Sequence, residues 1–185
     1  YFDIISPYAY IAHKKILKYK NIVFNYKPIY LGGLHKLAGI DSPAFNKYKL
    51  RNNINDCNLV SKKNNIEFKW NSNFPINSLN IMRGYISISN DKQNDYLNCF
   101  FDAYWKDNHD LSNVENISKL IRDLNIDNEE FFRSIKEQSV KDKLIKLTTN
   151  AFQKEVFGTP TFIVNNKIFW GQDRLEYALE EFSAN

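Results

Sequence analysis

Sulfur is scarce in this 185-residue chain, which has two cysteines and one methionine. Cys57 and Cys99 fall on separate predicted helices, without the spacing of a redox pair or a metal knuckle. Two distant thiols predict a reducing compartment in which each serves as a small buried hydrophobe. Histidine is nearly as rare. His13, His35 and His109 show no ligand spacing, so no metal site is expected. An excess of one charge is also missing: 25 Lys and Arg stand against 21 Asp and Glu, a net charge of +4. The basic residues are scattered rather than gathered in the dense stripe of a nucleic-acid binder. They support a weak preference for anionic small molecules and no more. No apolar run reaches membrane-spanning length and no signal peptide is visible, which predicts a cytoplasmic protein with no membrane partner.

What is present suffices for a core. Hydrophobic residues make up 43% and aromatics 15% of the chain, enough for one good core or a core carrying a large insertion. The stretch Phe2-Asp3-Ile4-Ile5-Ser6-Pro7-Tyr8-Ala9-Tyr10 organises the rest. Tyr1 to Ile5 reads as a strand. Ser6 is a favoured N-cap, and Pro7 suits the first position of a helix running to Lys20. Ile22, Phe24 and Tyr26 alternate, predicting a second strand over 22–31 that Gly32-Gly33 ends, with a loop or short helix following. This βαβ unit implies two parallel strands.

From about residue 46 to 157 the spacing becomes helical. Ser78 is a candidate cap, Ser112 to Glu115 match a capping box, and Asp127 with Glu130 and Ser139 with Asp142 open further helices. Gly158 fits a helix C-terminus. Thr161 to Asn165 and Lys167 to Trp170 read as a hairpin around Asn165-Asn166, and a last helix covers 173–182. The order βαβ, helical block, ββα makes one sheet only if the two ends meet. The predicted class is therefore α/β, a thioredoxin-like fold: residues 1–45 and 156–185 form the thioredoxin-like domain and 46–155 a large all-helical insertion.

The sequence resembles the 2-hydroxychromene-2-carboxylate isomerase family and its relatives, the kappa-class glutathione transferases, in the DsbA-like thioredoxin group. The resemblance is carried by Phe2-Asp3 with Ser6-Pro7-Tyr8-Ala9-Tyr10, by Val156-Phe157-Gly158-Thr159-Pro160-Thr161-Phe162, and by Phe169-Trp170-Gly171-Gln172-Asp173-Arg174-Leu175. Between them Leu31-Gly32, Lys36, Gly39, Lys49, Asp56, Phe74-Pro75, Asn77-Ser78 and Arg83 fall in the family's order. Ile40 and Asn52 depart from it: relatives often have Asn and Tyr there, near the expected second-substrate pocket.

In thioredoxin-like oxidoreductases the first helix opens with C-x-x-C. Here the equivalent positions are Ser6 and Ala9, so no redox disulfide can form there. The resemblance implies that glutathione supplies the thiol instead. A helix N-terminus and a hydroxyl donor both favour a thiolate. Ser6 is then the catalytic residue, donating to sulfur rather than attacking, since no base is recognisably paired with it. By resemblance the Thr159–Pro160 bond is cis, and Thr159 pairs through its main chain with the cysteinyl unit of glutathione. Trp170, Gly171, Gln172 and Asp173 would receive the γ-glutamyl end, and Lys49 the glycyl end. Tyr8 and Phe74 would wall the pocket of an aromatic carboxylate held by Lys36. The implied reaction is glutathione-dependent isomerisation. A kappa-like conjugating transferase and a non-catalytic thioredoxin-like binding module remain as rivals, and relatives suggest a homodimer.

Overall fold

Phe2 to Ser6 run through the middle of the computed structural model, which describes residues 1–184. Phe2 and Ile4 are buried, and so is Asp3 between them. A carboxylate without water must find donors, and Asp3 finds three. Its Oδ1 accepts from Ile5 N–H at 3.1 Å, and its Oδ2 from Leu31 N–H at 2.8 Å and the Ser78 hydroxyl at 2.9 Å. Burial lifts the carboxyl to about 6, against the pull of those three donors.

Each donor marks the start of an element. The chain turns at Ile5, where Ser6 N–H reaches back to Asp3 C=O at 3.1 Å, and enters helix α1, Pro7–Ile16. Helix α2, Leu31–Ala38, has Tyr30 at its cap position with no side-chain cap bond. Asp3 caps it from outside. Helix α3 is Lys47–Lys63, capped by Asn46. Helix α4 is Leu79–Ser87. Ser78 stands before it, but its hydroxyl goes to Asp3, and Asn77 Oδ1 takes Leu79 N–H instead. The expected Ser78 cap is corrected accordingly. Then come α5, Gln93–Trp105, α6, Val114–Asp123, α7, Asn128–Ser134, and α8, Gln138–Gln153. The α6 cap is Asn113 rather than Ser112, whose hydroxyl bonds Asp110. Helix α8 begins one residue before Ser139, behind Glu137.

Strands β1, Thr161–Val164, and β2, Lys167–Trp170, form the predicted hairpin, with Asn165 and Asn166 both at positive φ (50° and 62°). Helix α9, Leu175–Ser183, follows a short 3-10 turn over Gln172–Arg174. The first two expected strands shrink to one parallel bridge, Phe2 with Pro28. The cause is local. After Asp3 the chain leaves the sheet direction to make the turn into α1, so only Tyr1 and Phe2 remain in line. Those two still join the ends of the chain: Phe2 lies beside residues 27–29, and Tyr1 exchanges main-chain bonds with Thr161 at 2.8 and 3.2 Å. Gly32-Gly33, expected to end a strand, sit inside α2. Gly158 lies beyond α8 rather than capping it.

Phe2, Ile4 and Tyr10 share one core with Met82, Tyr85, Phe100, Phe101 and Trp105 of the central helices. Trp105 Nε1 donates to Ile4 C=O at 2.8 Å, so the opening stretch is held by side chains from α4 and α5 as much as by sheet bonds. Among the described residues no helix is long and apolar enough to cross a membrane.

Replacing Asp3 by Asn keeps the shape but turns an acceptor into a donor facing three donors. We expect Asp3→Asn to unfold at lower denaturant. The folded carboxyl lies near 6 against 3.8 in the unfolded chain, so its contribution to stability declines by on the order of 3 kcal/mol as pH rises from about 4 to 6. The stability gap between wild type and variant should therefore narrow between pH 4 and 7. A gap that widens with pH would contradict the raised carboxyl.

Candidate active site

The N-terminus of α1 meets the bend before β1. Ser6 caps the helix by accepting from Ala9 N–H at 3.2 Å, and its hydroxyl donates to Thr159 C=O at 2.9 Å across 153 residues. Both are buried, Ser6 at 4% and Thr159 at 7% exposure. The Thr159–Pro160 peptide bond is cis, as expected. Thr161 Oγ1 donates to Gly158 C=O at 2.7 Å and closes the bend. The Thr159 hydroxyl is the exception: Oγ1 is buried and has no partner among the described residues. A buried hydroxyl left unpaired is unfavourable by about 1–3 kcal/mol, so this is a place where a ligand atom would be stabilised.

The end of β2 borders the same bend. Gly171 N–H donates to Pro160 C=O at 2.9 Å. The Trp170 ring packs against Phe157, with centroids 4.8 Å apart, and its indole nitrogen approaches Gly158 so closely that a Cβ there would sit 2.7 Å from it. Gly171 has φ 113°, a conformation that side chains rarely adopt. Gln172 is buried, and Lys15 Nζ donates to its Oε1 at 2.5 Å, tying the turn to α1. Asp173 is half-exposed and bound twice by Arg174, at 2.6 and 3.0 Å. Burial lowers the Lys15 ammonium, while Glu176 and Asp173 oppose that shift.

The remaining predicted site residues divide. Tyr8 lies on α1 against α3, with its hydroxyl 3.5 Å from Asn53 Oδ1. Burial first, then neighbouring Cys57 and Asp56, keep that phenol protonated. Lys49 is exposed on α3, one helical turn before Asn53. Lys36 is exposed on α2, and no side-chain bond or ion pair ties it to Ser6 or Thr159 among the described residues. Phe74 is packed between Trp70 and Trp105, centroids 4.9 and 5.6 Å away, as part of an aromatic cluster. Serine, threonine, proline and the 170–172 turn are thus brought together. Tyr8 reaches Asn53 of α3, one turn beyond Lys49, and no described contact draws Lys49, Lys36 or Phe74 to that group. Lys15 was missed by sequence reasoning, for its partner lies 157 residues away. Asp3 was legible only as an acid inside an apolar run, a pattern that demands buried donors.

The DSBA-like thioredoxin domain family matches residues 1–183. Two similar curated proteins are each named 2-hydroxychromene-2-carboxylate isomerase. One, from Sphingobium xenophagum, is 24% identical over 182 residues, covering 96% of this chain and 93% of its own. The other, from Pseudomonas putida, is 24% identical over 181 residues, covering 95% and 88%. Among solved structures, a 2-hydroxychromene-2-carboxylate isomerase superposes with TM-score 0.90 at 23% identity, over 100% of this chain and 93% of its own. A putative protein disulfide isomerase from Nitrosomonas europaea superposes with TM-score 0.67 at 13% identity, over 98% and 94%.

Ser6→Ala removes the cap of α1 and the bond to Thr159 together. Loss of such a cap weakens a protein by about 0.5–2 kcal/mol. Denaturant unfolding should show a loss in that range with an unchanged slope, and an unaltered midpoint would mean that the Ser6 hydroxyl links nothing.

Proposed function

The chain belongs to the DSBA-like thioredoxin domain family, and from that membership we propose that it is a glutathione-dependent isomerase of an aromatic carboxylate, like the 2-hydroxychromene-2-carboxylate isomerases it resembles. The observation that carries this reading is the Ser6–Thr159 contact at the N-terminus of α1, in a chain whose own thiols are kept protonated. Cys57 is buried and its thiol is pushed up to about 12, by burial first and by Asp56 second. Cys99 is pushed up to about 11, again chiefly by burial. Neither is a ready thiolate at neutral pH, and Ser6 and Ala9 stand where a redox pair would be. A sulfur nucleophile at this site must therefore be borrowed.

The residues present suit such a guest. The α1 N-terminus favours an anion. The Ser6 hydroxyl, now given to Thr159 C=O, turns toward sulfur, and the unpaired Thr159 hydroxyl lies at the same bend. Gln172 keeps its amide nitrogen available for a ligand carboxylate while Lys15 holds its oxygen. Asp173, held by Arg174, sets a carboxylate where an ammonium group can dock. Lys49 and Lys36 supply exposed cations for the glycyl and substrate carboxylates, and the half-buried face of Tyr8 an aromatic wall. When bound, glutathione supplies a thiol that adds reversibly to a conjugated substrate and allows rotation about the bond so freed.

Titration with glutathione should give saturable binding, and 2-hydroxychromene-2-carboxylate should isomerise only when glutathione is added. Ser6→Ala should lower kcat/KM roughly a hundredfold, the usual effect of losing one donor to a developing anion. A stable glutathione adduct that accumulates instead would make the protein a conjugating transferase. Absence of saturable binding would leave a thioredoxin-like module that does no chemistry.

A further inference from the structure

Lys15 sits in the last turn of α1, and its ammonium is given to a neutral amide. Nζ donates to Gln172 Oε1 at 2.5 Å and reaches Gln172 C=O at 3.4 Å, across 157 residues. Two carboxylates stand close enough to act on it, Glu176 and Asp173. Neither forms an ion pair with Lys15 among the described residues, and Asp173 is taken by Arg174. A lysine that served only to anchor α1 would gain more from a carboxylate, because a bond between two charged groups is the stronger one.

The pair fixes the direction of the amide. An ammonium has three donors and no acceptor, whereas a glutamine side chain ends in one oxygen acceptor and one NH₂ donor. The oxygen must therefore face Lys15, and Nε2 must face away from it. Gln172 as a whole is 7% exposed. Its Nε2 makes no hydrogen bond among the described residues, and it is not one of the buried polar atoms that lack a partner. Nε2 thus lies on the small part of Gln172 that reaches the surface.

The main chain beneath is held as well. Gly171 N–H donates to Pro160 C=O at 2.9 Å, and Gly171 takes φ 113°. Gln172 follows at once and opens the 3-10 turn. It stands one residue beyond the tie to the cis bend that Ser6 touches. A glutamine free to change rotamer would have to be ordered at the moment of binding, which weakens binding. Lys15 has ordered this one beforehand.

We propose that Lys15 is a positioning residue of the site: by holding Gln172 Oε1 it presents Nε2 as a fixed outward donor for the α-carboxylate of a γ-glutamyl thiol. This rests on the glutathione reading above and goes beyond it in naming what selects the carboxylate. With the amide so turned, the site accepts an anion at Nε2 and repels an ammonium group. The reversed amide would offer oxygen and repel the carboxylate instead.

Two thiols, each titrated calorimetrically into the full chain, distinguish positioning from mere support. One is glutathione, and the other is 4-aminobutanoyl-cysteinylglycine, which lacks only the α-carboxylate. Wild type should bind glutathione roughly tenfold or more tighter than the analogue. Lys15→Met keeps the length of the side chain and removes its donor. It should weaken glutathione roughly tenfold and leave the analogue within about twofold, whereas Lys15→Arg, also a donor only, should restore the preference. Gln172→Glu strengthens the tie to Lys15 but replaces Nε2 by an acceptor, so it should also lose the preference while folding at least as firmly. Without ligand, NMR order parameters of the Gln172 side-chain amide should match rigid backbone in wild type and Lys15→Arg, and fall below about 0.6 in Lys15→Met. The proposal falls if Lys15→Met weakens both thiols equally, as loss of a structural tie would, if its amide stays as ordered as in wild type, or if Gln172→Glu keeps the preference. Wild type that binds neither thiol overturns the glutathione reading and this proposal with it. Wild type that binds glutathione no better than the analogue overturns the proposal alone.

Discussion

Two oxygens of one buried carboxylate hold the start of the molecule. Asp3 receives Ile5 N–H, Leu31 N–H and the Ser78 hydroxyl. It thereby sets the turn into α1, the first residue of α2 and the entry to α4 around a single point. Burial of a charge among apolar neighbours is unfavourable unless every lone pair is answered. That condition makes the arrangement strict: if any donor shifts, the carboxylate loses a partner with no water to replace it. Ser6 follows three residues later, so its position at the α1 N-terminus is inherited from Asp3.

Helix α1 is then pinned along its length. His13 lies buried between Tyr26 and Asn98, at 2.7 and 2.8 Å, and its ring stacks on Phe101. With Asn98 presenting its carbonyl oxygen, Nε2 carries the proton and Nδ1 accepts from Tyr26. Burial holds this imidazole down to about 4, so it stays neutral. Tyr10 donates to Glu67 C=O at 2.6 Å, Lys14 pairs with Asp102 at 2.6 Å, and Lys15 holds Gln172. These contacts reach three separate parts of the chain, fixing both the rotation of α1 and the direction in which its N-terminus points. The Ser6–Thr159 contact is consequently rigid on both sides. Thr159 is held by the Thr161–Gly158 bond and by the tie from Gly171 to Pro160.

Much of this was legible in advance, for local reasons. Ser6-Pro7 announces a helix start through the missing proline N–H and the serine lone pair, both properties of adjacent residues. Asn165-Asn166 announces a tight hairpin because asparagine tolerates positive φ. Failures came where a side chain serves a distant partner instead of its neighbour. Ser78 has the residue type of a cap, but its hydroxyl is taken by Asp3. Residues 22–31 read as a strand from the alternation of Ile22, Phe24 and Tyr26, but their partner leaves the sheet after Phe2, and only one bridge forms. Phe74 is a separate case: aromatic residues suit both a pocket wall and a core, and its ring packs against Trp70 and Trp105.

Read alone, the chain's residues carry the helix and hairpin signals, the lack of a redox cysteine pair at the first helix, and the family to which the chain is similar. These depend on residue identity and near-neighbour spacing, and backbone sterics act over only a few residues. Only the folded chain shows which donors answer Asp3, that Lys15 grips Gln172, and that the Thr159 hydroxyl is left unpaired among the described residues. Each joins residues far apart in the chain, and only packing sets the distances on which hydrogen bonds depend.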